Sequence, residues 1–243
     1  MGQTYANSFM SSGFVGASDI LILNKTKIEE KNSFGIDVIN FYTEPNSQIF
    51  ESDILILAVK PQDFKQLASE IKTFLNPEHV ILSVMAGISI EAMQKELGVS
   101  KIVRSMPNIP TQIGEGMTVF CASNAVDRKE LFIVQNLINT TGKSIYIEKE
   151  EMLNAATAVS GSRPAYVFYF MQAMIESAIK LGFSSSEAEF LVSQTFSGSV
   201  QLQNRSKLSN EDWIQRVASK GGTTEAALSV FNFLGMSDIV IKA

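Results

Sequence analysis

The chain has 243 residues, 45% of them apolar and 19% charged, with a formal net charge of −5. That is a globular composition with material for one large domain or two small ones, and with no basic run it gives no electrostatic case for nucleic acid. Cys121 is the sole cysteine and His79 the sole histidine, which excludes an intrachain disulfide and a Cys/His zinc cluster; with no signal peptide in view, the expected compartment is the cytoplasm.

Residues 1–12 read as a helix stopped by Gly13. Residues 19–24 are an apolar run of strand length, and a weaker strand lies at Val38 and Ile39. The run at 53–59 is continuously apolar after Asp53, as expected of a parallel strand covered on both faces. Over 64–74, the residues Phe64, Leu67, Ala68 and Ile71 keep the helical period, which Leu75 extends. Strands follow at 80–84, 101–104, 117–121 and 144–147, with helices at 90–97 and 131–140. Strands alternating with helices predict βαβ units and a parallel sheet. His79 stands in a turn before a strand and reads as a surface or capping residue.

After Glu148 the strand signals stop, and 195–208, 210–217 and 223–233 all read as helix. The charged stretch 148–151 suits a link, so the domains are expected at 1–148 and 149–243. The longest helical passage is 152–182. A first helix ends near Val159, and Ser160 and Ser162 are candidate caps around Gly161 and Pro164. From Ala165 the helix is apolar on most sides, with one polar stripe at Gln172, Glu176 and Lys180, so it is buried on most sides. It is the central helix of an all-helical domain, or it also forms a subunit interface. Its apolar run falls short of the roughly 20 residues a membrane span needs.

Open parallel sheets bind ligands at the carboxyl ends of their strands. Asn24, Lys25 and Thr26 follow the first strand, where an acidic residue would bind the ribose 2′-hydroxyl of NAD. A cation with a hydroxyl suits the 2′-phosphate of NADP(H); a solvated turn is the other reading. Ala58, Val59, Lys60 and Pro61 end the next strand, and Ala86 and Gly87 the one after; both put small residues where a planar ring can approach. Asn108 offers an amide after a third strand. Last, Ser219-Lys-Gly-Gly-Thr-Thr224 opens a helix, whose free N–H groups suit a carboxylate. Its threonine hydroxyls either cap the helix or reach a ligand.

These segments together resemble the pyrroline-5-carboxylate reductase family. The likeness rests on Ala-Val-Lys-Pro-Gln at 58–62, Ser-Val-Met-Ala-Gly at 83–87 and Arg-Ser-Met-Pro-Asn-Ile-Pro at 104–110. It also rests on Gly-Glu-Gly-Met at 114–117, Ser-Gly-Ser-Arg-Pro-Ala-Tyr at 160–166 and the loop at 219–224, and it spans nearly the whole chain. The resemblance implies a Rossmann-like α/β domain that lacks its first strand, then an all-α dimerisation domain. It implies reduction of 1-pyrroline-5-carboxylate to L-proline with NADPH or NADH, the last step of proline biosynthesis. It further implies a homodimer with interleaved C-terminal helices, often assembled into a decamer, and no nucleic-acid or membrane partner. By match, Gly2, Asn24, Lys25 and Thr26 hold the cofactor's phosphates and adenosine end. Ala58, Val59, Lys60, Pro61, Ala86, Gly87 and Asn108 line its ribose and nicotinamide. Ser219, Gly221, Gly222, Thr223 and Thr224 hold the substrate, with Thr224 the catalytic candidate at the ring nitrogen. A protonated imine accepts hydride readily, so positioning supplies most of what is needed.

Three positions depart from the family pattern. Met1-Gly2 matches the end of a Gly-x-Gly-Asn-Met-Gly turn, so the natural polypeptide is expected to begin about nine residues earlier, with a short strand and the start of that turn. Gly13 and Gly16 imitate that turn but precede a strand, not a helix. Arg163 replaces a small residue, where it either crowds the site or points outward, and Lys220 replaces a frequent proline. Two other functions fit the same residues: a non-catalytic or regulatory homologue that forms a helical dimer, and a reductase of a related cyclic imine.

Overall fold

The computed structural model describes residues 1–25 and 40–243. Thr26, Val38 and Ile39 lie outside the described residues. Contacts divide the chain into two compact units, Met1–Val167 and Phe168–Ala243.

The first unit is built on a five-stranded sheet. Its strands are β3 (Ile54–Leu57), β4 (Val80–Ser83), β5 (Ile102–Met106), β6 (Gly116–Ala122) and β7 (Gly142–Tyr146), in that spatial order. A separate parallel pair, β1 (Ile22–Leu23) and β2 (Phe41–Tyr42), packs Leu23 and Tyr42 into the same core. Four helices cover the sheet: α1 (Gly2–Ser12), α2 (Phe64–Ile71), α3 (Ile90–Leu97) and α4 (Arg128–Asn139). Alternation along β3 sends Ile54 and Ile56 to one face, against Tyr5 and Phe9 of α1 and Leu137 of α4. Leu57 faces the other side, with Phe64, Ala68 and Ile71 of α2 and Met93 and Leu97 of α3. Each such buried side chain contributes about 2 kcal/mol.

One expectation about this unit changes and another is narrowed. The pairs β3–β4, β4–β5 and β6–β7 are parallel, but β5–β6 is antiparallel. Only residues 107–115 join those two strands, fewer than the dozen or so that a parallel crossover needs. His79 is not a surface residue: it is 3% exposed, and Asn76 N–H donates to its Nδ1 at 3.0 Å. Its Nε2 lies 2.7 Å from the Phe50 carbonyl. It caps the turn from inside the core.

The link at 148–151 is also more than a spacer. Glu150 Oε1 accepts from buried Arg104 on β5 at 2.7 Å and from the first N–H of α3, at Ile90, at 2.9 Å. Leu153, on α5 (Met152–Ala156), packs on Val119 and Cys121 of β6. These contacts hold α5 to the sheet, and the compact unit therefore runs on past Glu148–Glu151.

The second unit is helical: α7 (Ser185–Asn204), α8 (Asn210–Val217), α9 (Thr223–Phe233) and α10 (Met236–Lys242), entered through α6 (Pro164–Lys180). α7 begins ten residues before the predicted 195, fixed by a capping box between Ser184 and Glu187. Within the chain only Ala188 and Val192 of this unit are buried apolar residues. Among the described residues no single helix is long and apolar enough to cross a membrane, although α9 and α10, bent by 53°, pass that test as a pair.

Candidate active site

In the first unit the expected cofactor residues cluster at one edge of the sheet. Parallel pairing sets Leu57 beside Ser83 and Ser83 beside Arg104, so the chain leaves β3, β4 and β5 on the same side. Ala58, Val59, Lys60 and Pro61 leave β3 there; Ala86 and Gly87 leave β4; Asn108 leaves β5. Lys60, Ala86 and Gly87 are exposed. Gly2 opens α1 so near this edge that a Cβ on it would stand 3.3 Å from Ala58 Cβ. No side chain caps α1 and its first turn has no acidic residue, which leaves its N-terminus suited to a phosphate. These residues fit a dinucleotide: small groups at the strand ends, and a helix start beside them. Asn24 and Lys25 follow β1 and are exposed, and the Asn24 N–H donates to Tyr42 O at 2.9 Å.

Asn108 is more tightly engaged than its sequence suggests. Its Oδ1 accepts from Met117 N–H at 2.9 Å, and its Nδ2 reaches the Ser160 carbonyl and hydroxyl at 3.4 and 3.3 Å. It ties the end of β5 to β6 and to the turn that follows α5.

That turn, Thr157–Gly161, is one turn of π-helix, a geometry frequent at functional sites. Ser160 Oγ accepts from Asn108, and no hydrogen bond of the Ser162 side chain is seen. Gly161 leaves room for Met106: a Cβ there would lie 2.8 Å from Met106 Cε. Arg163 does not crowd the turn, because its Nε donates to the Ala158 carbonyl at 3.2 Å. This contact satisfies an acceptor at the widened turn.

Burial shifts two titratable groups of this unit upward. Burial, with the Glu150 charge second, pushes the Cys121 thiol up to about 11, so it is no nucleophile at neutral pH. Burial also raises the Tyr5 hydroxyl.

The second unit carries the other group. The Gly222 N–H donates to Ser219 O at 3.0 Å, which folds the loop into a tight turn ahead of α9. Both positions favour glycine. Gly221 has φ +75°, and a Cβ on Gly222 would lie 2.7 Å from Ser219 Oγ. No side-chain hydrogen bond caps α9, so the Thr223 and Thr224 hydroxyls do not cap it. Thr224 also borders an apolar hollow of about 240 Å³ lined by Trp213, Ile214, Val217 and Leu228. The Gly221 N–H is already taken: it donates to Glu225 Oε2 at 2.6 Å. Sequence reasoning missed Glu225. Its place three residues after a Gly cap, where capping-box acids stand, was the available signal. Glu150 escaped notice too, as one acid in a charged stretch.

Comparison with known proteins agrees with this layout. Residues 150–243 match the family model for pyrroline-5-carboxylate reductase dimerisation. Residues 1–87 match that for coenzyme F420-dependent NADP oxidoreductases. The chain is 34% identical to pyrroline-5-carboxylate reductase of Pseudomonas aeruginosa, across 94% of this chain and 82% of that protein. It is 31% identical to the enzyme of Aquifex aeolicus, across 100% of this chain and 89% of that protein. Among solved structures, the Coxiella burnetii reductase superposes with a TM-score of 0.88 at 28% identity, covering 99% of this chain and 90% of that one. The Plasmodium falciparum reductase, solved with NADP bound, gives 0.88 at 26%, covering 100% and 89%. With an α/β sheet that gathers its loops at one edge, and a helical unit that opens its Lys-Gly-Gly-Thr-Thr loop at a helix start, this chain belongs to the pyrroline-5-carboxylate reductase family.

Proposed function

We propose that this protein reduces 1-pyrroline-5-carboxylate to L-proline, the last step of proline biosynthesis. NADPH, preferred over NADH, supplies the hydride when bound. The carrying observation is the start of α9, which no side-chain hydrogen bond caps and where Thr223 and Thr224 follow the Gly221–Gly222 turn. Residues 1–148 serve the cofactor, and 149–243 serve substrate and dimerisation.

The chain's own residues have three tasks. Gly2 and the first N–H groups of α1 take phosphate; Asn24, Lys25 and Thr26 take the adenosine end, where the Lys25 cation favours a 2′-phosphate. Ala58, Val59, Lys60, Pro61, Ala86 and Gly87 line the ribose and ring, and Asn108 sets the wall behind them through Met117 and Ser160. The N–H groups of Gly221, Thr223 and Thr224, with Ser219 and the turn that Gly222 closes, hold the substrate carboxylate. The Thr224 hydroxyl accepts a hydrogen bond from the protonated ring nitrogen and keeps that proton in place. A charged C=N carbon needs no further acid, which agrees with the poverty of histidine.

The protein works as a homodimer through its helical unit and assembles further into a decamer, in the cytoplasm, without nucleic-acid or membrane partners. The test compares 1-pyrroline-5-carboxylate with its six-membered-ring homologue under NADPH. The expected result is a kcat/KM in favour of the five-membered ring. Preference for the larger ring would assign a related cyclic imine. Loss of both activities in a dimer that still binds NADPH would assign a regulatory homologue.

A further inference from the structure

The contact between Glu225 and Gly221 bears on how the substrate enters. We propose that Glu225 is a specificity-determining residue that competes with the substrate for its carboxylate site; this rests on the reading of the 219–224 loop given above. Glu225 is the third residue of α9, the place from which a capping-box glutamate reaches back to the N–H of the cap residue. Here that cap N–H, on Gly222, is already spent on Ser219 O. The Glu225 side chain reaches one residue further, and Oε2 accepts from Gly221 N–H at 2.6 Å. The left-handed backbone of Gly221, φ +75°, turns that N–H toward the helix start.

A carboxylate thus already lies on the Gly221 N–H, one of the donors that would receive the substrate's own carboxylate. The two groups share one chemistry, one charge and one donor, so they exclude each other. The exchange is uneven. A ligand bearing a carboxylate must displace Glu225 from that N–H, whereas one without it leaves the contact in place. Glu225 therefore weakens binding of carboxylate-bearing ligands modestly and leaves carboxyl-free imines unaffected. A ligand binds less tightly in proportion to the fraction of the site that the side chain leaves free; with Glu225 in place about four-fifths of the time, the effect is about 5-fold.

The test uses the full chain and its Glu225→Ala and Glu225→Asp variants, with 1-pyrroline-5-carboxylate and with 1-pyrroline, which lacks the carboxylate. Alanine removes the contact; aspartate keeps the charge but is too short to reach Gly221. Both variants should lower KM for 1-pyrroline-5-carboxylate by about 5-fold, and the inhibition constant of L-proline alike, with kcat little changed. An unchanged KM in Glu225→Ala would overturn the proposal. A raised KM would make Glu225 a ligand of the cationic ring nitrogen, and would also overturn it. Wild-type KM in Glu225→Asp would reduce the effect to charge alone, with the same consequence. The underlying reading fails separately: wild-type protein with equal KM values for 1-pyrroline and 1-pyrroline-5-carboxylate has no carboxylate site at this loop.

Discussion

The two units solve the burial problem in opposite ways. The sheet unit closes its core within one chain: Ile81, Leu82, Ile102, Val103 and Phe120 are fully buried between helices on both faces. The helical unit leaves many large apolar side chains outside. Phe233 is 88% exposed, Leu181 79% and Phe190 70%, while only Ala188 and Val192 are buried. So much exposed apolar surface marks an interface, and the match of residues 150–243 to a dimerisation family says what kind. One half of the chain is a fold in its own right; the other completes its core with a second copy.

The sharpest way to break that contrast is at the helical surface. Phe233→Asp should weaken the dimer about 100-fold or more, as loss of an aromatic anchor does, read by sedimentation across a concentration series. The sheet unit should keep its melting transition, independent of concentration. The reverse experiment removes the clamp of the sheet unit. Glu150→Ala leaves the Arg104 guanidinium buried without its partner, and should cost about 1–3 kcal/mol, discounted for partial exposure of Glu150, at every protein concentration in a denaturant titration.

Chemistry separates the units as well. Thr224→Ala should lower kcat/KM for the imine about 10-fold or more with NADPH affinity retained; an unchanged kcat/KM removes Thr224 from the mechanism. Lys25→Glu should instead raise KM for NADPH about 5-fold and leave KM for NADH nearly unchanged, on the scale of one charged hydrogen bond at an exposed site. The smallest effect is at the helix caps. Hydrogen bonds from the Ser184 and Ser209 hydroxyls, then from their backbone N–H groups, hold Glu187 and Asp212 below their ordinary values of 4.5 and 3.8. A lowered carboxyl stabilises the folded state above its ordinary value and loses that contribution as the pH falls through the lowered one. Ser184→Ala should therefore melt slightly lower than wild type at neutral pH, and the gap should close in acid.

The same contrast decides what was legible in the sequence. Where a helix buries one face inside the chain, its period shows: Phe64, Ala68 and Ile71 marked α2, and Met93 and Leu97 lie on an α3 found at its predicted bounds. The start of α7 carries no such signal, because Phe190 and Leu191 are exposed within the chain and the helix is fixed by its Ser184–Glu187 box. α10 follows Gly235 for only seven residues and was missed for the same reason. Strand direction at β6 was readable from the short 107–115 connection, not from hydrophobicity. The glycines and threonines of the substrate loop stood out by spacing. The contacts of Glu225, Glu150 and Asn108 did not, since each depends on which N–H or carbonyl the fold leaves open.

The most direct test of the central claim is the fate of the hydride. NADPH deuterated at the transferred position, incubated with the protein and 1-pyrroline-5-carboxylate, should yield L-proline carrying one deuterium at C5 for each NADPH consumed. L-proline without deuterium, or a protein that binds NADPH and forms no L-proline, would contradict it.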